Sequence, residues 1–154
     1  MTFWQIACGD GTVDLESIFL KLNIALIGPG HLGDYFDHRK QYLALSDGYL
    51  IRTFCEEVAI GDIFILKRVI NPAAAEWEIK AVGKVTGAYR YEPIFEDVDV
   101  SGWAMQHCRR VKWVLPSAKT VVKGGGAPIR IQRCGTDNAL VLKAMELLDQ
   151  VKDT

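Results

Sequence analysis

The chain has 154 residues, 49% of them hydrophobic, and a formal net charge of −1 at pH 7. This length is enough for one domain with a hydrophobic core, so we expect a single domain over residues 1–154 and not a disordered chain. No apolar run reaches the ~20 residues needed to cross a bilayer, and the N-terminus has no signal-peptide pattern, so we expect a cytoplasmic protein without a membrane partner. The near-zero charge excludes coating of nucleic acid by bulk charge but is compatible with a local basic surface.

The first part of the chain predicts two strands and a helix. The segment from Phe3 to Cys8 is rich in β-forming residues and precedes a Gly-Asp-Gly turn. A helix follows with Thr12 as its N-cap, and its apolar stripe consists of Leu15, Ile18, Phe19 and Leu22. The apolar run from Ile24 to Ile27 ends at Gly28-Pro29-Gly30 and predicts a buried strand. We interpret this order as a parallel strand–helix–strand crossover unit.

The middle of the chain predicts a long loop followed by alternating elements. Residues 28–47 are irregular and rich in Gly, His and aromatics, and loops of this length are often functional. Ser46 or Asp47 is the predicted cap of a second helix, whose apolar side consists of Leu50, Ile51, Phe54 and Val58. A strand is predicted from Ile63 to Val69. Residues 77–91 are β-rich and interrupted by Gly83 and Gly87, which predicts a bent strand in a sheet that curls toward a barrel.

The last third is basic and begins with a strand. Arg109, Val111, Trp113 and Leu115 alternate with Arg110, Lys112 and Val114, which is the pattern of a strand with one wet face. Between Asp99 and Asp137 there are seven Lys or Arg residues and no carboxylate. Residues 120–122 and 129–133 predict a hairpin around the turn Lys123-Gly124-Gly125-Gly126. Thr136 or Asp137 caps a final helix with an apolar stripe formed by Leu140, Val141, Ala144, Leu147, Leu148 and Val151. Together these elements predict an α+β fold, a curved mixed sheet flanked by about three helices.

Catalytic signals are weak. The chain has no P-loop, GxSxG or HExxH motif, and its four cysteines form no CxxC pair. The three histidines (His31, His38 and His107) lack metal-ligand spacing, so we predict no metal, no cofactor and no enzymatic activity. A nucleophilic Cys8 or Cys108 acting with His107 stays open, because such pairs form in space.

The aromatic residues carry the clearer functional signal. Trp4 and Trp113 lie in predicted strands and are expected in the core. Trp103, Tyr35 and Phe36 lie in Gly-rich irregular segments instead. Such side chains beside a basic surface are suited to stack a base drawn out of a duplex, while Lys and Arg hold the flanking phosphates. A small hydrophobic cluster under the long loop is the alternative, and the residues alone leave both interpretations open.

Five segments together resemble a known family. WQIACGDG, IGPG, EEVAIGDIFILKR, AVGKVTGAYRYEP and GWAMQHCRRVKW resemble the EVE domain and the related YTH domain of the PUA-like superfamily. They are most similar to the EVE-like modules at the front of modification-dependent restriction systems of the McrB type. The resemblance runs from Phe3 to the last helix. It implies a barrel-like sheet with a pocket that encloses one modified base in an aromatic cage. Ala25 stands where YTH domains have a cage tryptophan, so the resemblance implies a different pocket from the YTH cage.

These observations predict a non-enzymatic domain that recognises a flipped, modified base, methylated or hydroxymethylated cytosine or adenine, in DNA. The expected context is defence or restriction with a separate nuclease or NTPase effector. The predicted base pocket comprises Trp103, Tyr35, Phe36, Cys8, Gly9, Asp10 and His107. The predicted phosphate ligands are Arg109, Arg110, Lys112 and Lys123. An RNA-binding PUA-like module, or a small-ligand or protein-interaction domain that uses the same pocket, is the alternative.

Overall fold

The protein has an α+β fold built on a curled, barrel-like mixed sheet, as the sequence predicts. The computed structural model describes residues 1–9, 14–97 and 104–152. The described strands are β1 (Phe3–Ile6), β2 (Ile24–Ile27), β3 (Ile63–Asn71), β4 (Glu76–Val85), β5 (Arg90–Tyr91), β6 (His107–Val114), β7 (Thr120–Lys123) and β8 (Ile131–Cys134). The described α-helices are α1 (Glu16–Leu22), α2 (Arg39–Leu43), α3 (Gly48–Arg52) and α4 (Ala139–Lys152). A π-helical turn (Thr53–Glu57) continues α3, and a 3₁₀ turn spans Pro93–Asp97.

The strand order shows that the predicted crossover unit is wrong. The order along the sheet is β2-β6-β4-β3-β1-β8, with β5 beside β6 and β7 beside β4. The parallel partner of β1 is β3, with Phe3 opposite Ile63, whereas β2 is antiparallel to β6. The apolar run of β2 correctly predicts burial, but an apolar run carries no information about which strand lies beside it.

The predicted hairpin in the last third is also wrong, because β7 and β8 have different partners. Lys123 of β7 is opposite Glu76 of β4, while Cys134 of β8 is opposite Phe3 of β1. The Gly-rich turn therefore crosses the surface of the sheet between them. A Cβ on Gly126 would lie 2.2 Å from Cε2 of Trp77, so only glycine fits where this turn crosses the indole.

Two apolar cores lie on the two faces of the sheet. On one face the ring of Trp113 stacks between Phe64 and Phe19, with centroids 6.4 and 6.5 Å away, which confirms Trp113 as a core residue. Trp4 is also buried, and its Nε1–H donates to Asp62 Oδ2 at 2.9 Å. On the other face α4 covers the sheet with the buried side chains of Leu140, Val141, Ala144 and Leu147, four of the six residues in its predicted stripe.

The long segment after β2 is more ordered than predicted. It contains α2, and the side chains of Tyr35 and Tyr42 within it are fully buried. The predicted second helix is present as α3 and the π-helical turn, with Leu50, Ile51 and Phe54 buried. The N-cap of the final helix is Asn138, one residue after the predicted cap Asp137. Its Oδ1 accepts the Leu140 N–H at 2.8 Å.

Arg109 is a structural residue, which corrects its predicted role as a phosphate ligand. Its side chain is 4% exposed and lies on the inner side of β6 with Val111 and Trp113, as the alternation predicts. The guanidinium donates to the carbonyl oxygens of Phe54 (3.1 and 3.2 Å), Cys55 (3.2 Å), Val58 (2.6 Å) and Gly87 (3.3 Å). Three of these carbonyls belong to the end of the helical segment, where carbonyl groups lack helical partners.

We expect Arg109→Met to lower the free energy of unfolding by about 3 kcal/mol or more, because it leaves buried carbonyl groups without donors. Urea unfolding followed by circular dichroism measures this change. Arg110→Met is the matched control, since the neighbouring side chain is exposed and its loss should change stability by about 0.5 kcal/mol or less. Equal effects of the two substitutions would contradict this role for Arg109.

Candidate functional site

The predicted base-binding residues are divided among separate parts of the fold. Tyr35 is fully buried, with its ring 5.1 Å from Phe36 and 6.1 Å from Tyr42. Phe36 is 57% exposed and also contacts Tyr89, at 5.6 Å. The small aromatic cluster that the sequence left open is therefore present. Tyr35 has no free face for a base, which corrects its predicted stacking role, whereas Phe36 has an accessible ring.

His107 lies at the centre of this cluster with both ring nitrogens hydrogen-bonded. Its Nε2–H donates to the Pro29 carbonyl oxygen at 3.0 Å, so Nδ1 accepts from the Tyr89 hydroxyl at 2.7 Å. The Tyr89 oxygen in turn accepts the Tyr35 N–H at 3.0 Å. Burial lowers the pKa of His107 to about 4, although the bond to Pro29 opposes that shift. A fully buried, fully bonded neutral imidazole does not contact a ligand, which corrects its predicted place in the base pocket.

The lowered pKa of His107 predicts acid sensitivity. Between pH 6.5 and pH 4 the unfolded chain binds a proton at this residue and the folded chain does not, so stability falls as the pH falls. We expect this residue to account for a loss of about 3 kcal/mol across that range. Unfolding measured at several pH values should show a smaller loss for His107→Gln than for the unsubstituted protein. His31→Gln, at an exposed histidine, should keep the full loss, and an unchanged profile for His107→Gln would contradict the assignment.

Cys8 and Gly9 lie at a different place, a cavity at the end of β1 that we call the β1-end cavity. Its volume is about 510 Å³, within the range of small-ligand pockets. Gly9 has a φ of 147°, a conformation that favours glycine where the chain turns out of the strand. The lining includes one indole and three basic side chains, two of them from β3 and one from the segment before β8. The lining residues are Ala7, Cys8, Gly9, Asp14, Lys67, Arg68, Val69, Pro72, Trp77, Pro128, Ile129 and Arg130.

The three cations of the β1-end cavity differ in their partners. Arg68 forms ion pairs with Asp14 and with Glu16, the second at 3.4 Å. Arg130 pairs with Asp47 at 2.6 Å and also donates to the Gly28 carbonyl oxygen at 2.6 Å. Both guanidinium groups are therefore neutralised by carboxylates.

Lys67 is the exception, and it is only 4% exposed. Its ammonium donates to the carbonyl oxygens of Ala127 at 2.5 Å and Ile129 at 3.2 Å and lies 4.7 Å from the ring centroid of Trp77. Among the described residues no carboxylate forms an ion pair with it. Burial lowers its pKa to about 8, and the group stays mostly charged at neutral pH. The sequence analysis assigned no function to Lys67 or Trp77. Lys67 continues the buried face of Ile63 and Ile65 in β3, and a lysine at such an inward position is the signal that identifies it.

The thiols do not have the environment of catalytic nucleophiles. The Cys8 thiol donates to Asp14 Oδ1 at 3.6 Å. Burial, and to a smaller extent the negative charge of Asp14, raises the pKa of this thiol to about 12. Burial raises the pKa of Cys108 to about 11. Both thiols stay protonated at neutral pH, and His107 bonds to Tyr89 and Pro29 and to neither of them.

A basic strip formed by Lys84, Arg110 and Lys112 lies on the outer side of β4 and β6. Lys84 is directly opposite Lys112, and Arg110 follows on the same side of β6. All three side chains are exposed, and within residues 1–9, 14–97 and 104–152 none forms an ion pair. A groove of about 640 Å³ runs beside Arg110 and Lys112, with Arg90 and Phe95 also in its lining. Two of the four predicted phosphate ligands therefore lie together on an open surface.

Lys123 lies apart from the basic strip, which corrects the grouping predicted for it. It is opposite Glu76, whereas Lys112 is opposite Lys84, eight positions further along β4. That separation corresponds to roughly 26 Å of strand.

Two other predicted residues, Asp10 and Trp103, lie outside the described residues. Ala25, which the resemblance aligns with the YTH cage tryptophan, is fully buried in β2.

The fold and site define an α+β domain with a curled sheet, a strand-end cavity and an exposed basic strip. The chain belongs to the family described as a domain of unknown function (DUF8426), whose profile matches residues 4–124. It is similar in fold to the crystal structure of protein PSPTO5229 from Pseudomonas syringae, with a TM-score of 0.51 and 13% sequence identity. The similarity covers 94% of this chain and 99% of that one. No curated protein matches the chain significantly.

Neither a membrane-spanning helix nor a cluster of metal ligands is present among the described residues. The helices there lack the length and the apolar character that a bilayer span requires. No group of three or more His, Cys, Asp or Glu side chains there is arranged to hold a metal ion.

Proposed function

We propose that this protein is a non-enzymatic, EVE-like domain that binds DNA and takes one flipped, modified base into the β1-end cavity. The observation that carries this proposal is the position of Cys8 and Gly9. These residues match the segment that the resemblance assigns to the base edge, and they line a cavity that also contains the Trp77 indole. A separate nuclease or NTPase is the proposed effector.

The dimensions and lining of the β1-end cavity support a base as its ligand. A pocket of about 510 Å³ holds one nucleobase with room for its sugar. Extrusion of a base from a duplex costs a few kcal/mol, and aromatic and hydrogen-bonding contacts in a pocket offset that cost. Trp77, only 4% exposed, contributes to the wall of the cavity, and the backbone of Cys8 and Gly9 supplies polar groups. Asp10 and Trp103, which adjoin these described parts in sequence, remain part of the proposed pocket.

The basic strip supports an anionic partner. Like charges directly opposite each other on two strands destabilise a sheet, and Lys84 and Lys112 are such a pair. A phosphate backbone that contacts Lys84, Arg110 and Lys112 removes this repulsion and adds charge-assisted hydrogen bonds.

The base-reading proposal is tested with oligonucleotide duplexes that differ at one cytosine or adenine in a single methyl or hydroxymethyl group. Fluorescence anisotropy at a fixed salt concentration should show tighter binding of at least one modified duplex than of the unmodified duplex. Equal affinity for all of them would contradict base reading. Tighter binding of the matching RNA, with dependence on its 2′-hydroxyl groups, would favour the alternative of an RNA-binding module.

The phosphate contacts are tested through salt dependence. We expect the double substitution Arg110→Gln, Lys112→Gln to weaken binding to modified and unmodified DNA by similar factors. It should also reduce the magnitude of the slope of log K against log salt concentration by about 1 to 2. The reason is that a complex with fewer phosphate contacts releases fewer counterions when it forms. Lys143→Gln removes one positive charge from α4, which contributes no described residue to the groove beside Arg110 and Lys112, and serves as the control. An unchanged slope in the double variant would exclude the basic strip from the interface.

A further inference from the structure

We infer that the β1-end cavity prefers a base whose substituent carries an oxygen acceptor, above all a carboxylate, over a base with a methyl group, and that Lys67 binds that oxygen. This inference rests on the proposed function, because it specifies the modification that the same cavity recognises.

The charge balance of the cavity is the first reason. Arg68 and Arg130 each have carboxylate partners, whereas Lys67 has two carbonyl acceptors and no counter-ion among the described residues. An ammonium group has three N–H donors, so one donor of Lys67 is left without an oxygen acceptor among the described residues, beside the Trp77 ring at 4.7 Å. A buried cation without a counter-ion is costly, and an anionic ligand group supplies the missing charge.

Trp77 gives a second, independent observation. The residue is 4% exposed and lines the same cavity, and its indole Nε1–H is buried without a hydrogen-bond partner in the described part of the chain. Buried donors are almost always paired in folded proteins. Lys67 and Trp77 are thus two residues of the cavity wall, and each has an N–H donor that the described residues leave without an oxygen acceptor.

These two donors discriminate between substituents. A methyl group in the cavity excludes water but accepts no hydrogen bond, so it leaves both donors unpaired. A formyl oxygen accepts one hydrogen bond from Lys67, and a carboxylate accepts from two donors and also neutralises the ammonium. Loss of a buried polar partner is the most effective basis for rejection of a close analogue.

The structural role of Lys67 does not account for its charge. Its two carbonyl bonds hold the segment before β8, but Gln5 holds the same segment independently, because its Oε1 accepts the Ala127 N–H at 2.8 Å. The aliphatic stem of Lys67 packs in the core, and methionine reproduces that stem without the ammonium. Lys67→Met is therefore the variant that separates charge from packing.

The experiment uses the full chain and duplexes that carry one cytosine, unmodified or with a 5-methyl, 5-hydroxymethyl, 5-formyl or 5-carboxyl group. Fluorescence anisotropy at constant salt and neutral pH gives the affinities. We expect the carboxyl duplex to bind about tenfold more tightly than the methyl duplex, with the formyl duplex between them. Lys67→Met should abolish this preference, so that the carboxyl and methyl duplexes bind with equal affinity. Lys143→Met, the same change at a half-buried position of α4 outside the cavity, should keep the preference.

Two further variants keep the test decisive if Lys67→Met does not fold. Lys67→Arg retains a cation and should retain a preference for the carboxyl duplex. Trp77→Phe keeps an aromatic ring but removes the indole N–H, so it should reduce the preference several-fold. The inference would be overturned if the methyl duplex bound as tightly as the carboxyl duplex, or if Lys67→Met kept the full preference for the carboxyl duplex. Either result would leave the proposed function standing. If no duplex binds but free 5-carboxy-2′-deoxycytidine does, with dependence on Lys67, then the DNA-binding proposal fails and the acceptor site stands. If neither duplexes nor the free nucleoside bind, both proposals fail.

Discussion

The hydrogen bonds of one buried guanidinium, that of Arg109, fix the relation between β6 and the helical segment at residues 48–57. Its donors reach carbonyl groups of that segment and of the turn that follows β4, so three parts of the chain meet at one side chain. Because successive residues of a strand point to opposite faces, the inward position of Arg109 also sets the outward position of Arg110 and, two residues on, Lys112. The orientation of the basic strip is thus a consequence of an internal contact.

Arg109 and Lys67 are both buried cations, but their surroundings differ. The Arg109 guanidinium is surrounded by carbonyl oxygens, and its planar fork of donors suits several acceptors at once. Lys67 has two carbonyl acceptors and one face toward a cavity. Each of the three guanidinium nitrogens of Arg109 donates to a carbonyl oxygen of the fold, so this cation stabilises the fold. Lys67 lies beside a cavity and lacks a third oxygen acceptor among the described residues, so it is suited to bind a ligand.

The sequence predicted the curled sheet, the alternation of β6 and the core positions of Trp4 and Trp113, because these depend on local periodicity. It did not predict the partners of β2, β7 and β8, since an apolar strand has the same pattern beside any neighbour. The roles of Arg109, Tyr35 and His107 were also missed, because charged, hydroxyl-bearing and imidazole side chains are usually exposed or functional. Their burial depends on acceptors and donors from distant parts of the chain, such as Pro29 and Tyr89 for His107. Lys67 was detectable in principle, since it stands at an inward position of β3.

The parallel pairing of β1 with β3 has a consequence for the two sides of the cavity. The pairing ends at Ile6 and Leu66, so residues 7–9, which follow β1, lie beside residues 67–69, which are still part of β3. Residues 7–9 form no ladder pair of β1, whereas residues 67–69 pair with β4. A substitution at residues 7–9 therefore changes the cavity lining without changing a ladder pair of β1, whereas a substitution at residues 67–69 acts on the lining and on the pairing of β3 with β4. One wall of the cavity is independent of the sheet, and the other wall is part of it.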